Sequence, residues 1–262
     1  MKKLFALFGV IVVMASVAQA QILFSSGTYN QNFNSLSGAG PANVWTDNST
    51  LLGWYASQSV GTFPGTYRGT NGNSATAALY SYGTTGSSER ALGSLSSGTP
   101  GNIAYGARFQ NDTGLTLGSF HVSYTGEQWR NGGNTSAQPL TFSYQVSNGP
   151  LTSSDAAGAQ SWTTFAALTF TSPTVGATAG QLDGNNSLNE SLISADITDL
   201  TIGPGQELFI RWFDLNDAGN DHGLAVDDLA VTFSPVVAPE PSTLAVTGIG
   251  LACLLFLRRR NN

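Results

Sequence analysis

The sequence is short of the residues on which most redox, soft-metal and nucleic-acid chemistry depends. One cysteine, Cys253, stands among 262 residues, so no intramolecular disulfide forms, and cysteine-built zinc or iron–sulfur sites are excluded. Lysine occurs only at Lys2 and Lys3, and between Gln21 and Pro239 five arginines face eleven aspartates and four glutamates. That excess of acid repels a phosphate backbone and argues against a nucleic-acid partner. Charged residues of either sign make up only 10% of the chain, while 41% is hydrophobic and 10% aromatic. Low charge with ample aromatics describes a packed core rather than a disordered acidic chain. There is no Gly-x-Ser-x-Gly elbow, no His-Glu-x-x-His and no phosphate-cradling glycine loop. No repeat of 20–50 residues suggests a propeller or solenoid.

Both ends carry targeting patterns. Lys2 and Lys3 precede an apolar run from Leu4 to Val17, followed by Ala18-Gln19-Ala20. A positive start, a short apolar core and small residues at −3 and −1 predict a secretory signal peptide, residues 1–20, cut before Gln21. Fourteen residues rise only about 21 Å as a helix, against a hydrocarbon core of ~30 Å, which disfavours an uncleaved anchor. At the other end, Pro239-Glu240-Pro241-Ser242 is followed by an uncharged run from Thr243 to Leu257 and then by Arg258-Arg259-Arg260. The run predicts a short transmembrane helix over 243–257, with the arginines cytoplasmic and everything upstream translocated.

These three parts, over residues 239–262, resemble the PEP-CTERM sorting signal of Gram-negative bacteria. The resemblance implies recognition near Pro239-Glu240-Pro241 by an exosortase, with Arg258, Arg259 and Arg260 closing the signal. It also implies delivery through the inner membrane to the cell envelope, the cell surface or an exopolysaccharide matrix. A Leu-Pro-x-Thr-Gly sortase motif is absent, and a lipid-anchor transfer signal would end apolar rather than in arginines.

Between the ends, residues 21–233 read as one all-β domain. Phe120, Val122 and Tyr124 share one face of a run from Leu117, and Leu140, Phe142, Tyr144 and Val146 share a face of the next. Trp162 to Phe170, Leu208 to Phe213 and Leu224 to Phe233 alternate in the same way. A period of two with polar partners predicts antiparallel strands buried on one face. Clusters such as Asn71-Gly72-Asn73, Asn131-Gly132-Gly133-Asn134 and Asp183-Gly184-Asn185-Asn186 supply the positive φ that tight turns require. Eight or more such strands fit a two-sheet antiparallel β-sandwich of jelly-roll type. Residues 234–238 read as an extended linker.

The densest chemistry lies from Arg211 to Val231, where two strands flank a loop rich in carboxylates and carboxamides. Asp227 shares parity with Leu229, Val231 and Phe233 and therefore points inward unless a bulge intervenes. A buried carboxylate needs an arginine, backbone donors or a cation. The stretch Gly223 to Leu229 is similar to the closing strand of MAM domains and of several carbohydrate-binding jelly rolls. That resemblance implies a structural calcium held by Asp227, Asp228 and a residue near the N-terminus, where this chain has Asn34 in place of an acid. The plainer alternative pairs Asp227 or Asp228 with Arg211. Asp214, Asp217, Asn220 and Asp221 form a second acidic cluster, and His222 lies in the same loop.

For ligand binding, the run from Tyr124 to Arg130 joins a carboxylate, a carboxamide, an indole and a guanidinium. Glu127, Trp129 and Arg130, with Trp54, are candidates for contacting sugar hydroxyls and rings, whereas Glu127 paired with Arg130 would be a structural bracket. Two functions follow. The first is an exported cell-surface or matrix protein with a non-catalytic module that acts as a scaffold or binds extracellular polysaccharide. The second is a secreted polysaccharide hydrolase using Glu127 with Asp112 or Glu190.

Overall fold

A computed structural model describes residues 21–235, and both segments expected to act in targeting, including the 243–257 run, lie outside the described residues. Among the described residues no helix is long and apolar enough to cross a membrane. The chain opens with β1 (Ile22–Leu23), β2 (Tyr29–Gln31), β3 (Asn43–Val44), β4 (Trp54–Gln58), β5 (Thr66–Thr70) and β6 (Ala78–Tyr82). It continues through β7 (Ala91–Leu95), β8 (Ile103–Gln110), β9 (Leu117–Asn131), β10 (Pro139–Ser147) and β11 (Thr163–Thr164). It closes with β12 (Phe170–Thr171), β13 (Gly180–Gln181), β14 (Glu190–Ile197), β15 (Glu207–Asp214) and β16 (Gly223–Pro235).

These strands make two sheets. The first runs β1–β8–β15–β10–β11, with β4 on β8 and β12 on β10. The second runs β13–β9–β16–β7–β6–β5–β3, with β14 on β9 and β2 on β16. Most pairs are antiparallel, but β1 with β8 and β5 with β6 are parallel, so both sheets are mixed. The N-terminal strand β2 lies beside the closing strand β16, with Gln31 opposite Leu229.

The inner faces meet over one large apolar core. Phe120, Val122 and Tyr124 of β9 face inward fully buried, while His121, Ser123 and Thr125 alternate outward. From the other sheet, Trp212 stacks on Trp54 at 6.1 Å between centroids and takes the edges of Tyr124 and Phe142. Replacing a ring buried this completely with alanine costs about 3–5 kcal/mol. Asp214 ends β15 on this inner side. Its Oδ2 accepts the Ser94 hydroxyl at 2.7 Å, which ties one sheet to the other, and burial pushes its carboxyl up to about 7.

Three segments depart from expectation. Leu208 to Phe213 is covered on both faces, because residues 148–162 fold over the outer face of the first sheet and enclose Tyr55, Phe209 and Leu151 there. Trp162 to Phe170 forms two two-residue strands around a 3-10 turn at Ala166–Leu168 instead of one strand; Ala166 and Ala167 interrupt the alternation with residues of low β propensity. β16 runs on to Pro235, which pairs with Leu117, so the linker expected at 234–238 begins as strand.

Candidate metal centre

The site grows from a bulge in β16. Leu224 and Val226 point into the main core, so Ala225 and Asp227 point outward. Asp228 then adopts φ 47° and the register with β9 slips between Asp227 and Ala230. Beyond this bulge Leu229 and Val231 point inward again. The bulge also hands over one edge of β16, which pairs with β7 before it and β2 after it. The expectation that Asp227 faces inward with Leu229 is therefore corrected: the extra residue turns it to the opposite side of the sheet.

On that outer side Asp227 meets Glu127 of β9, whose partner across the ladder is Ala225. Glu89, from the loop before β7, completes the group. One carboxylate oxygen from each of Glu89, Glu127 and Asp227 lies within 4.8 Å of the others. Among the described residues no other three Asp, Glu, His or Cys side chains converge in this way.

The cluster is closed over. Trp129, Tyr80, Tyr82, Ala91, Leu95 and Ala225 form a second small core beside it. A Cβ on Gly72 would stand 2.0 Å from the Trp129 carbonyl, and one on Gly184 would stand 2.3 Å from the indole ring. Only glycine lets those two loops lie flat against Trp129. Glu127 is 2% and Asp227 5% exposed.

Its polar partners are too few. Glu127 Oε2 accepts the Trp129 indole N–H at 2.7 Å, and Glu89 Oε2 accepts the Asn185 amide at 2.5 Å. Asp227 Oδ1 and Glu89 Oε1 are buried and accept no hydrogen bond. Among the described residues the ion pairs join Arg108 to Glu207, His121 to Asp196 and Arg211 to Asp155, and none reaches this cluster. Two carboxylates this close repel by roughly 3 kcal/mol at an effective dielectric near 20. Burial pushes Glu127 up to about 8, with Glu89, Glu190 and Asp228 adding to the rise. Asp227 is raised by the same burial and by Glu127 beside it. Arg90 acts on Glu89 and Glu127 only from beyond ion-pair distance, so the group still calls for protons or a bound cation.

The donor set fits a hard divalent ion. Three carboxylates offer up to six oxygens, and calcium takes six to eight. The expected ligands are thus partly regrouped. Asp227 belongs to the trio, Asp228 is exposed outside it, and Asn34 spends its Oδ1 on the Arg90 backbone N–H at 2.7 Å. Glu89, without motif or periodicity around it, was missed. The bracket with Arg130 does not form, because Arg130 donates to the carbonyls of Gly72 and Asn73. Arg211 is likewise unavailable to Asp227; it binds Ser154 O and Asp155 O on the other sheet and lies 3.8 Å over Trp162.

The remaining candidates are scattered. Trp54 is wholly buried, its indole N–H donated to Tyr29, and Trp129 is wholly buried beside the trio, so neither presents a ring to a surface ligand. His222 is buried, its Nδ1 accepting Gly132 N–H and its Nε2 facing Ser136 O. In the second acidic cluster, Asp221 accepts Asp217 N–H, and Asn220 O accepts Asn134 and Gln138. Asp112 binds Ser25 at a distant edge, and Glu190 stands opposite Glu127 across the β9–β14 ladder. One relay has the look of chemistry: Ser194 Oγ lies 3.0 Å from His121 Nε2, and His121 Nδ1 lies 2.9 Å from Asp196. It sits on an open sheet face, where backbone N–H groups run in the sheet plane rather than above it, so nothing is placed to stabilise an oxyanion.

No protein-family model matches the chain, and no curated relative is found. Solved structures align with the chain at low similarity. The CBM22-2 xylan-binding domain from Paenibacillus barcinonensis Xyn10C aligns at 15% identity over 69% of this chain and 91% of that one, with a TM-score of 0.36. The K3 adhesin domain of Lys-gingipain from Porphyromonas gingivalis aligns at 12% over 73% and 99%, with a TM-score of 0.37. An arabinose-bound GH51 arabinofuranosidase aligns at 10% over 81% of this chain, which spans 29% of that enzyme, with a TM-score of 0.36. Likenesses this low say nothing of fold family, ligand or activity.

Proposed function

We propose that the chain is an exported, non-catalytic β-sandwich module of jelly-roll type, retained at the cell surface or in an exopolysaccharide matrix. There it serves as scaffold or binds polysaccharide, and a structural calcium ion at Glu89, Glu127 and Asp227 locks its second sheet. The observation that carries the reading is the trio, with Glu127 and Asp227 buried, Glu89 half-buried and two oxygens that accept nothing. A cation there joins the loop before β7 to β9 and to the bulge of β16, so it fixes the handover between β7 and β2. The sequence patterns at both ends support export and exosortase sorting, and the placement of β2 beside β16 supports the jelly-roll assignment.

The same carboxylates do not suit glycoside hydrolysis. Retaining enzymes hold two carboxyl groups ~5–5.5 Å apart with a sugar between them, whereas Glu127 and Asp227 are covered by Trp129 and its flanking loops. The trio's own role is then to bind and orient an ion, not to transfer a proton to a substrate.

Thermal unfolding of the purified protein tests this. For a micromolar site, 1 mM calcium stabilises by about 4 kcal/mol, or roughly 8–16 °C in a domain of this size. Terbium, which takes calcium's oxygen sites, should show emission sensitised through Trp129. An unchanged melting temperature with chelator and with calcium discards the ion. Pull-down with exopolysaccharide, measured separately, tests the matrix role.

A further inference from the structure

Arg90 is a buried cation, 2% exposed, with donors to spare. Its Nε–H donates to Ser81 Oγ at 3.1 Å, and Nη2 donates to Thr70 O and Ser81 O at 3.0 Å each. Nη1 donates to nothing, and among the described residues no carboxylate lies within ion-pair distance of the guanidinium. Glu89 and Glu127 act on its charge from beyond ion-pair distance, so the buried guanidinium keeps two unspent N–H groups for an incoming acceptor.

The unspent end looks into a surface pocket of about 320 Å³ whose lining includes Gly38, Asn71, Gly83, Thr85, Ser87 and Arg90. A Cβ on Gly38 would stand 2.8 Å from Nη1, and so would one on Gly83. Both walls are therefore stripped to backbone where the guanidinium lies. The rim is hydroxyl and carboxamide: Thr85 Oγ1 accepts the Asn71 amide, and Ser87 Oγ accepts Glu89 N–H, which leaves both hydroxyl protons free to donate.

We infer that this pocket is a subsite for the carboxylate of an acidic sugar, with Arg90 Nη1 on the acid group and the Asn71, Thr85 and Ser87 rim on the ring hydroxyls. The chemistry is selective in two directions. A guanidinium partly dehydrated by the fold gains most from an oxyanion, and a rim of neutral hydrogen-bonding groups suits a polyol better than a bare ion. The strongly acidic body elsewhere repels extended polyanions, so the site favours isolated uronate units over densely charged chains. The inference rests on the polysaccharide reading above and names the class of sugar.

Titration calorimetry on the full protein at fixed calcium, with methyl glucuronide, methyl glucoside and inorganic sulfate as probes, tests it. Methyl glucuronide should bind at least tenfold more tightly than methyl glucoside or sulfate. Thr85→Glu, at an exposed rim position, should cut glucuronide binding at least tenfold, and Arg90→Gln should abolish it where that variant folds. Equal binding of glucuronide and glucoside, both indifferent to Thr85→Glu, overturns the acidic-sugar assignment while leaving polysaccharide binding intact. Sulfate matching glucuronide overturns it in favour of a free-anion site. Failure of every exopolysaccharide pull-down alongside Thr85-sensitive glucuronide binding would instead sink the matrix reading and keep the subsite.

Discussion

The two sheets bury charge in opposite ways on their outer faces. On the first, Arg108 makes a two-pronged pair with Glu207 at 2.6 and 2.9 Å, and the leftover capacity is used by Tyr55, Gln21 and the Leu151 N–H. Arg211 beside it is held by Ser143, Ser154 and Asp155. On the second, three carboxylates face one another with two oxygens accepting nothing. In the first arrangement both carboxylate oxygens of Glu207 are paired, and the group fastens residues 148–162 over the sheet. The second makes sense only with something added. Buried charge of one sign that lacks partners points to a ligand; buried charge that is paired points to architecture.

Glu207→Ala probes the paired side and should have the largest effect. It strands Arg108 in the interior, and breaking a buried pair costs about 3–5 kcal/mol. The loss should be the same with calcium and with chelator, read by denaturant midpoints in both. A calcium-dependent loss would blur the distinction between the two faces.

The acidic side should respond to pH, and in a direction that calcium reverses. Glu127 is raised from 4.5 to about 8, so the fold holds its proton more tightly than the unfolded chain does. Stability from that proton is complete below about pH 4.5 and is lost as pH rises through about 8. The chelated protein should therefore weaken between those values by on the order of a few kcal/mol. Calcium replaces the proton, so the gap between loaded and chelated melting temperatures should widen from pH 5 to pH 8.5. Asp214 titrates in the same direction in both forms and cancels in that difference. A gap that is constant or narrows with pH contradicts a site made of these carboxylates.

Asp227→Asn should change sign with the ion. Without calcium the neutral amide spares the fold the cost of keeping Asp227 protonated or burying its charge beside Glu127, and it should stabilise at pH 8 by roughly 1–2 kcal/mol. With calcium it removes a ligand, and most of the calcium-induced rise in melting temperature should vanish. Destabilisation in both conditions would make Asp227 an ordinary structural acid.

Much of the architecture was legible because alternation is a direct record of burial. Phe120, Val122 and Tyr124 on β9, and Leu140 and Phe142 on β10, face the core as their spacing requires. The paired Asp227-Asp228 marked the right strand, yet its facing was hidden by a one-residue bulge, and no sequence period encodes a register slip. Glu89 was invisible for a different reason. It lies in a loop, near Glu127 only because β7 and β9 both pair with β16, a long-range fact. Trp54 and Trp129 show the limit of residue type as a guide: an indole near a strand end stacks as well on Trp212 or Tyr82 as on a sugar.

Trp129→Phe carries the smallest expected effect and the finest distinction. The phenyl ring can keep the stacking contact with Tyr82, which the indole makes at 6.0 Å and 7°, but it has no N–H for Glu127 Oε2. In the chelated protein Glu127 is largely protonated at neutral pH and that hydrogen bond is neutral, contributing about 1 kcal/mol. With calcium bound the acceptor is a carboxylate, and the bond strengthens to roughly 1.5–3 kcal/mol. The calcium-induced stabilisation should shrink by about 1 kcal/mol, a several-fold loss of affinity, and terbium emission excited selectively in the indole band should fall sharply. Unchanged stabilisation with emission retained would place the ion away from Glu127, because no other indole donates to a member of the trio.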